Sequence, residues 1–549
     1  MSERRASDVF VECLEVEGVK HVFGIPGEET LDLNESLASS SVKFVPVRHE
    51  QGGAYMADMY GRLTGRAGVC LGTLGPGATN LVTGVADAFL DRAPLVALTG
   101  QGDLERMHKE SHQYIDVMAL MRPITKWNAR LSAPEIIPEV VRKAFKVAES
   151  EKPGATHIEL PEDVMARALP NHVQPLPRRR NVNPEPSARE LLRAADIIRS
   201  ALNPIALAGN GVVRTGASPA LRELARATGI PVAETFMAKG LLDYEDPHAL
   251  GTVGLQSRDY ALAGFEEADV VLAIGYDLVE HSPHHWNPRG DKKIIVVDTA
   301  SPEIDTFFQP EVELVGDPYN VLSRLTEALR DAPHGGGSHR LRELVLRRFE
   351  QAKTDNAFPV QPPRALWEIR QALGREDILI SDVGLHKLWI ARMFPAHEPN
   401  TVLIANGLAG MGFAVPSAIA AKLVHPGRNV VTVNGDGGFL MNVQELETAK
   451  RLRTPVVNVI WEDHQYGSIV WKQDKKFGRH FGTDFTNPDF VGLAESFGLP
   501  GWRCESVEDF REHLNRALTL ELPSVIVLPI DYSTDVAISE ELGTETVTT

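Results

Sequence analysis

Residues 429–438 read NVVTVNGDGG, and this stretch decides what kind of fold the chain can adopt. Its valines and threonine form a β-branched run that is apolar on both faces, as a strand covered on both sides of a parallel sheet must be. It passes directly into Gly435-Asp436-Gly437-Gly438, so a glycine-rich turn lies at the strand's carboxyl end, where open α/β sheets bind their ligands. Glycines let main chain approach a phosphate closely, and a helix N-terminus that follows attracts anions. An Asp within such a loop suits a hard cation, because Mg2+ is commonly held by one or two carboxylates together with phosphate oxygens. A tight turn with a capping Asp would read the same way. Farther on, PVVNVIWED (455–463) ends at Asp463, so a second strand end can bring a second oxygen ligand.

Working outward, short β-branched runs alternate with helical patterns, the mark of βαβ units. A first series holds VKFVPV (42–47), AGVCLGT (67–73), PLVALTG (94–100) and THIELP (156–161). A second holds PIALAGNG (204–211), IPVAETF (230–236), ADVVLAIGY (268–276) and KKIIVVD (292–298). The third adds DILISDVG (377–384) and SVIVLPID (524–531) to the two runs above. Between the series lie PLPRRRNVNPEPS (175–187) and APHGGGSHR (332–340), which carry no apolar period and read as linkers. The expectation is an α/β protein of three consecutive doubly wound parallel-sheet domains, at 1–174, 188–332 and 360–535, with a polar tail at 536–549. The length of 549 residues fits a rule of ~100–200 residues per domain.

Composition narrows the function classes. Apolar residues make up 43% and charged residues 24%, the usage of a soluble globular protein with a large core. Lys and Arg total 56 against 74 Asp and Glu, a net charge of −18, which leaves no basic stripe for a nucleic acid. No apolar run reaches the ~20 residues that span a bilayer, so no membrane segment is expected. Cys13, Cys70 and Cys504 are far apart and form neither a disulfide framework nor a CxxC metal site. The opening MSERRASDVF is charged and lacks the apolar stretch of a secretory signal. A cytoplasmic protein is expected.

Four further clusters join the turn at Asp436. In the first series, Phe23-Gly24-Ile25-Pro26-Gly27, Arg48-His49-Glu50 and Gly75-Pro76-Gly77-Ala78-Thr79-Asn80 follow one another. In the third stands Asn406-Gly407-Leu408-Ala409-Gly410-Met411-Gly412. Singly, each has an ordinary reading, such as an acid at a helix start or a Met filling a core gap. Taken in order with Gly435-Asp436-Gly437 and Asp463-His464-Gln465, they resemble the thiamin-diphosphate-dependent acetolactate synthase family, over nearly the whole chain. That family usually has Asn where Asp463 stands; the oxygen ligand is kept, and its catabolic members also look acidic there.

The resemblance implies pyrimidine-binding, central and diphosphate-binding domains in that order. It implies Mg2+ on Asp436, Asp463 and the carbonyl of Gln465, with Gly435, Gly437, Gly438 and His386 near the diphosphate. Pro26, Gly27 and Asn80 would lie around the cofactor, and the Ala409 carbonyl would accept from its amino group. Met411 would bend the cofactor's two rings against each other, a proximity effect that needs only packing. Glu50 would face N1′ of the aminopyrimidine and favour the tautomer whose nitrogen can take the thiazolium C2 proton. In the family the two domains forming one site come from different subunits, so a homodimer at least, and a homotetramer by extension, is implied.

The middle series indicates which branch is nearest. Gly275-Tyr276, Val279-Glu280, Pro283 and Trp286-Asn287 resemble the catabolic type rather than the FAD-binding biosynthetic one. GNGVVRTG (209–216) also fails the G-x-G-x-x-G fingerprint, so FAD is not expected. His112-Gln113 resembles the catabolic type too, and the implied role is to position a small 2-oxo acid through donors near its carboxylate or developing alkoxide. Lys126 would add positive charge at the entrance. Leu74, where relatives have Ser or another small residue, and Lys472, where they have Trp or Gln, complete the candidate substrate positions. Leu385 replaces a Gln that often contacts the diphosphate. The implied reaction joins two pyruvates into 2-acetolactate with loss of CO2. Alternatives are a non-oxidative 2-oxo acid decarboxylase, a carboligase with another acceptor, a flavin-dependent oxidase, or a non-catalytic protein of the same fold. The last should have lost one of Glu50, Asp436 and Asp463, and all three are present.

Overall fold

A computed structural model of the chain describes residues 4–170, 172–179, 182, 184–254, 260–331, 346–347 and 349–533. The glycine-rich stretch expected as a linker at 332–340 and the expected tail at 536–549 lie outside the described residues. Three six-stranded sheets carry the architecture, and every pairing within them is parallel.

The first sheet comprises β1 (His21–Gly24), β2 (Lys43–Pro46), β3 (Gly68–Gly72), β4 (Leu95–Gln101), β5 (Trp127–Arg130) and β6 (Ala155–Pro161), in the order β2-β1-β3-β4-β6-β5. The second comprises β7 (Pro204–Ala208), β8 (Val232–Glu234), β9 (Ala249–Thr252), β10 (Val270–Ile274), β11 (Lys293–Asp298) and β12 (Pro310–Val315), ordered β12-β11-β10-β7-β8-β9. The third comprises β13 (Ile378–Ser381), β14 (Val402–Ile404), β15 (Val430–Gly435), β16 (Val457–Glu462), β17 (Gly501–Arg503) and β18 (Ser524–Pro529), ordered β14-β13-β15-β16-β18-β17. Renumbered from its own start, the third sheet repeats the order of the first. The second instead has the 3-2-1-4-5-6 order of dinucleotide-binding sheets.

The strands that the sequence marks are the buried ones. β3, β4, β6, β7, β10 and β16 are buried at every position; β3, β7 and β10 are apolar throughout, as burial on both faces favours, while β4, β6 and β16 also bury polar side chains such as Gln101, Glu159 and Asn458. The strands that the sequence leaves unmarked are mostly at sheet edges: β5, β9, β12, β14 and β17. An edge strand is half-solvated, so β12 alternates exposed and buried residues and β5 is half-buried throughout.

The chain forms two compact units. One gathers the described residues within Met1–Val182, Gly407–Gly427 and Leu440–Thr454; the other gathers those within Asn183–Asn406, Arg428–Phe439 and Pro455–Thr549. The third sheet belongs to the second unit. Two helices from the same stretch of sequence, Ala414–Val424 and Glu445–Leu452, belong to the first. Among the described residues no helix is long and apolar enough to cross a membrane.

The first unit has a buried polar core beside its apolar one. Helix Glu50–Thr64 carries Asp58 and Arg62, and the helix Pro76–Leu90 brings Asp87 with Asp91 just beyond it. Arg62 pairs with Asp58 at 2.8 Å, Asp87 at 3.1 Å and Asp91 at 2.6 Å, and its guanidinium lies 4.9 Å from the centre of the Phe413 ring. Burial, and then the neighbouring Asp91 and Asp58 carboxylates, hold the Asp87 carboxyl well above its ordinary range. Asp91 in turn accepts the main-chain N–H of Gly407. Removing the cation leaves buried carboxylates uncompensated, which costs about 3–5 kcal/mol where a buried ion pair loses one partner. Arg62→Met is therefore expected to lower the urea midpoint sharply. Because the folded state raises the Asp87 pKa, that group binds more protons folded than unfolded, and its contribution to stability falls as pH rises above the unfolded value. Asp87→Asn, which has no titrating carboxyl at this position, should therefore gain on the wild type as pH rises above the ordinary carboxylate range, in paired urea titrations.

Candidate active site

The register of the first sheet gathers one cluster of candidate residues. Gly24 of β1 pairs with Pro46 of β2 and with Leu71 of β3, so the turns after all three strands leave the same edge. These turns are Ile25–Gly27, Val47–Glu50 and Thr73–Gly77. A Cβ added to Gly27 would lie 2.4 Å from the Thr73 side chain, and Thr73 donates to Glu29 at 2.7 Å. Helix Glu50–Thr64 starts at Glu50 because His49 is extended and its Nδ1 caps the N–H of Gln51 at 3.2 Å. Glu50 is buried. Its carboxylate accepts from the Asn80 amide at 3.0 Å, and a Cβ on Gly77 would sit 3.4 Å from its other oxygen.

Gly75, at φ +52°, leaves so little room that a Cβ there would lie 2.6 Å from the Gln113 carbonyl. The exposed His112-Gln113 loop is thereby placed against the Gly75–Gly77 turn. Leu74 is buried beneath that turn. Lys126 has a different setting: its ammonium donates to the carbonyls of Val147 and Ser150, at 2.6 and 2.8 Å. Those contacts cap the carboxyl end of helix Ile137–Glu149.

The loop Gly407–Gly412 belongs to the same unit and is fixed at three points. Asp91 holds the N–H of Gly407, Gly410 lies against the Tyr55 hydroxyl, and Asn442 donates to the Gly412 carbonyl at 2.8 Å. Between the anchors Ala409 adopts φ +57°, and Met411 is half-buried. A side chain at positive φ is strained, and such strain persists where surrounding structure over-determines it. Three of the candidate loops hold such a residue: Gln113, Ala409 and His464, the last at φ +61°.

The second unit holds the other cluster. Gly435 of β15 pairs with Trp461 of β16, so Asp436 and Asp463 emerge at adjacent strand ends. The buried Asp436 carboxylate takes the N–H of Gly437 at 2.8 Å on one oxygen. The other takes the N–H groups of Asp463 and His464, at 3.2 and 2.8 Å, and the Asn487 amide at 2.8 Å. Asp463 is half-buried, and Gln465 is held by an antiparallel bridge to Asp484. On the far side β13 pairs Ser381 with Val433 and brings the Asp382–His386 turn alongside. A Cβ on Gly438 would lie 3.0 Å from the Asp382 carboxylate, and one on Gly435 3.4 Å from the His386 ring. Leu385 is buried and packs where a Cβ on Gly467 would be, at 2.9 Å. Lys472 is exposed on helix Gly467–Phe477.

These residues fit a cation with a phosphate ligand. Among the described residues no group of three or more His, Cys, Asp or Glu side chains forms a closed metal cluster. Two carboxylates and a main-chain carbonyl are hard oxygen donors that leave coordination positions for phosphate oxygens, as Mg2+ sites do. The His386 ring bonds the main chain of Asp382, and burial pushes its pKa down to about 4. Its Nε2 is buried and without a partner, an atom that a ligand's polar group would satisfy. Sequence reasoning missed Asn487, which lies in the TNPDF loop beyond β16, and Glu445, which sits in an ordinary amphipathic helix pattern; no spacing signals either.

Comparisons with known proteins agree along the whole chain. The N-terminal TPP binding domain of thiamine pyrophosphate enzymes matches residues 4–120, the central domain of those enzymes 191–325, and their C-terminal TPP binding domain 382–528. An acetolactate synthase of Bacillus subtilis is 37% identical over 555 residues, covering 98% of this chain and 95% of its own. A probable acetolactate synthase large subunit of Methanocaldococcus jannaschii is 36% identical over 96% of this chain and 92% of its own. A catabolic acetolactate synthase of Raoultella terrigena is 34% identical, covering 96% and 95%.

The Asp436 turn generates a direct expectation. Asp436→Asn should lose the dependence of thiamin diphosphate binding on Mg2+, read by calorimetric titration with and without the metal; retention of that dependence would remove Asp436 from the ligand set.

Proposed function

The chain belongs to the thiamin-diphosphate-dependent acetolactate synthase family, and from that membership we propose that it decarboxylates pyruvate and joins the remaining two-carbon unit to a second pyruvate, giving 2-acetolactate and CO2. The observation that carries this reading is the joint presence of a buried Glu50 held by Asn80 and an Asp436–Asp463 turn suited to a cation and a diphosphate. Bound thiamin diphosphate supplies a carbon nucleophile and a place for the electron pair when CO2 departs. Asp436, Asp463 and the Gln465 carbonyl would hold Mg2+, and the Gly435–Gly438 turn with His386 would receive the diphosphate. Glu50 would hold a proton at the aminopyrimidine ring, with the Asn80 amide fixing the carboxyl's orientation. The Ala409 carbonyl and Met411 would orient that ring. Gly27, packed on Thr73, and the neighbouring Pro26 would lie around the cofactor. Gln113 and His112 would orient the 2-oxo acid, with Leu74 and Lys472 bounding the acceptor's space.

We also propose that the enzyme works without FAD, as a homodimer at least, in the cytoplasm. In the second sheet the strand order reverses beside β7, and a doubly wound sheet binds a nucleotide's phosphates there. In this chain an internal carboxylate stands at that turn. Glu280 accepts the N–H of Asn210 on both oxygens, at 3.2 and 3.1 Å, and that of Asp277 at 3.2 Å. Thr235 donates to it as well. Burial, then Asp277, push its pKa up to about 7. A nucleotide phosphate would meet a carboxyl group that already uses the available N–H donors, so the purified protein is expected to show no flavin absorption.

The direct test is incubation with pyruvate, thiamin diphosphate and Mg2+. Acetolactate, trapped as acetoin after acid treatment, with one CO2 per two pyruvates, is the expected result. Glu50→Gln should lower the rate by about 10²–10⁴-fold, the usual weight of a positioned acid or base. Acetaldehyde as the only product would instead make the enzyme a decarboxylase.

A further inference from the structure

Glu445 begins the helix Glu445–Leu452 and is buried completely. Nothing in the proposed chemistry uses it, yet its carboxylate grips the main chain beside Glu50. One oxygen accepts the N–H groups of Arg48 and His49, at 3.0 and 3.1 Å. The other accepts from the Thr448 hydroxyl at 2.7 Å. Gly52, in the first turn of the Glu50 helix, leaves the room this requires: a Cβ there would lie 2.8 Å from the gripping oxygen. Burying a carboxylate is costly unless hydrogen bonds compensate it. Burial raises the Glu445 pKa against the opposing effect of those bonds.

We propose that Glu445 is a positioning residue for Glu50. Arg48 and His49 are the last residues before the helix, and their orientation sets where the Glu50 side chain leaves the main chain. Only Asn80 is seen to hold the carboxylate itself among the described side-chain hydrogen bonds. The main-chain grip therefore supplies the second constraint, on the backbone from which the carboxyl projects. The proposal rests on thiamin diphosphate being the cofactor, and an error of even about 1 Å in such a group can cost up to 10²-fold in rate.

The test uses full-length protein loaded with thiamin diphosphate and Mg2+, and reads deuterium exchange of the cofactor's C2 proton by NMR after acid quench. Glu445→Leu removes both acceptors, and Glu445→Gln, which keeps one, serves where the Leu variant does not fold. Exchange should slow by about ten- to a hundredfold in the Leu variant and by less in the Gln variant. In a Glu50→Gln background neither change should slow exchange further, because both act through the same carboxyl. In the cofactor-free protein, amide hydrogen exchange across Arg48–Glu50 should quicken more than it does elsewhere in the chain. Exchange at the wild-type rate in the Glu445 variants, or an equal further loss in the Glu50→Gln background, would overturn the proposal. A wild-type rate in Glu50→Gln itself would overturn the reading of Glu50 beneath it.

Discussion

A parallel strand cannot be followed directly by its neighbour; the chain must cross back over the sheet before it pairs again. In each of the three sheets all six strands obey this rule, so every strand delivers its outgoing turn to one edge. The rest of the candidate site depends on that constraint. Glu50 follows β2, the Gly75–Asn80 turn follows β3, Asp436 follows β15 and Asp463 follows β16. Register then does the fine placement, since pairing Gly435 with Trp461 sets two acidic strand ends side by side.

Within that frame the turns are held by buried carboxylates bonded to main-chain N–H groups. Asp436 grips Asp463 and His464, Asp91 grips Gly407, Glu445 grips Arg48 and His49, and Glu280 grips Asn210 and Asp277. A charge-assisted bond of this kind is about twice as strong as a neutral one, and the low dielectric of the interior makes the unbonded alternative expensive. Irregular backbone that would otherwise be mobile is thereby fixed, including the strained Ala409 and His464. The same device serves opposite ends: three of these carboxylates set up candidate site loops, whereas Glu280 occupies the turn where a nucleotide phosphate would sit.

Much of the fold was legible because burial on both faces writes itself as a run rich in apolar and β-branched residues. β4, β6 and β16 are buried throughout and were visible as PLVALTG, THIELP and PVVNVIWED. β1, β5, β9, β12, β14 and β17 were not read: β1 lies inside its sheet but is only four residues long, and the other five are edge strands, short or half-solvated, whose composition does not differ from a loop's. Nor does local sequence show that Ala414–Val424 and Glu445–Leu452 join the first unit while the strands around them belong to the second. The candidate site divides in the same way. Glu50, Asp436 and Asp463 stand at strand ends in short motifs, which sequence reading finds. Glu445, Asn487 and Asp91 act through contacts between segments far apart in the chain, for which no spacing rule exists.

The measurement that tests this account most directly is a crystal structure with thiamin diphosphate and Mg2+. The account predicts the cation on Asp436, Asp463 and the Gln465 carbonyl, with the diphosphate at Gly435–Gly438 and a Glu50 carboxylate at hydrogen-bond distance from the aminopyrimidine ring. A diphosphate bound away from Asp436, or an aminopyrimidine that no Glu50 reaches, would contradict it.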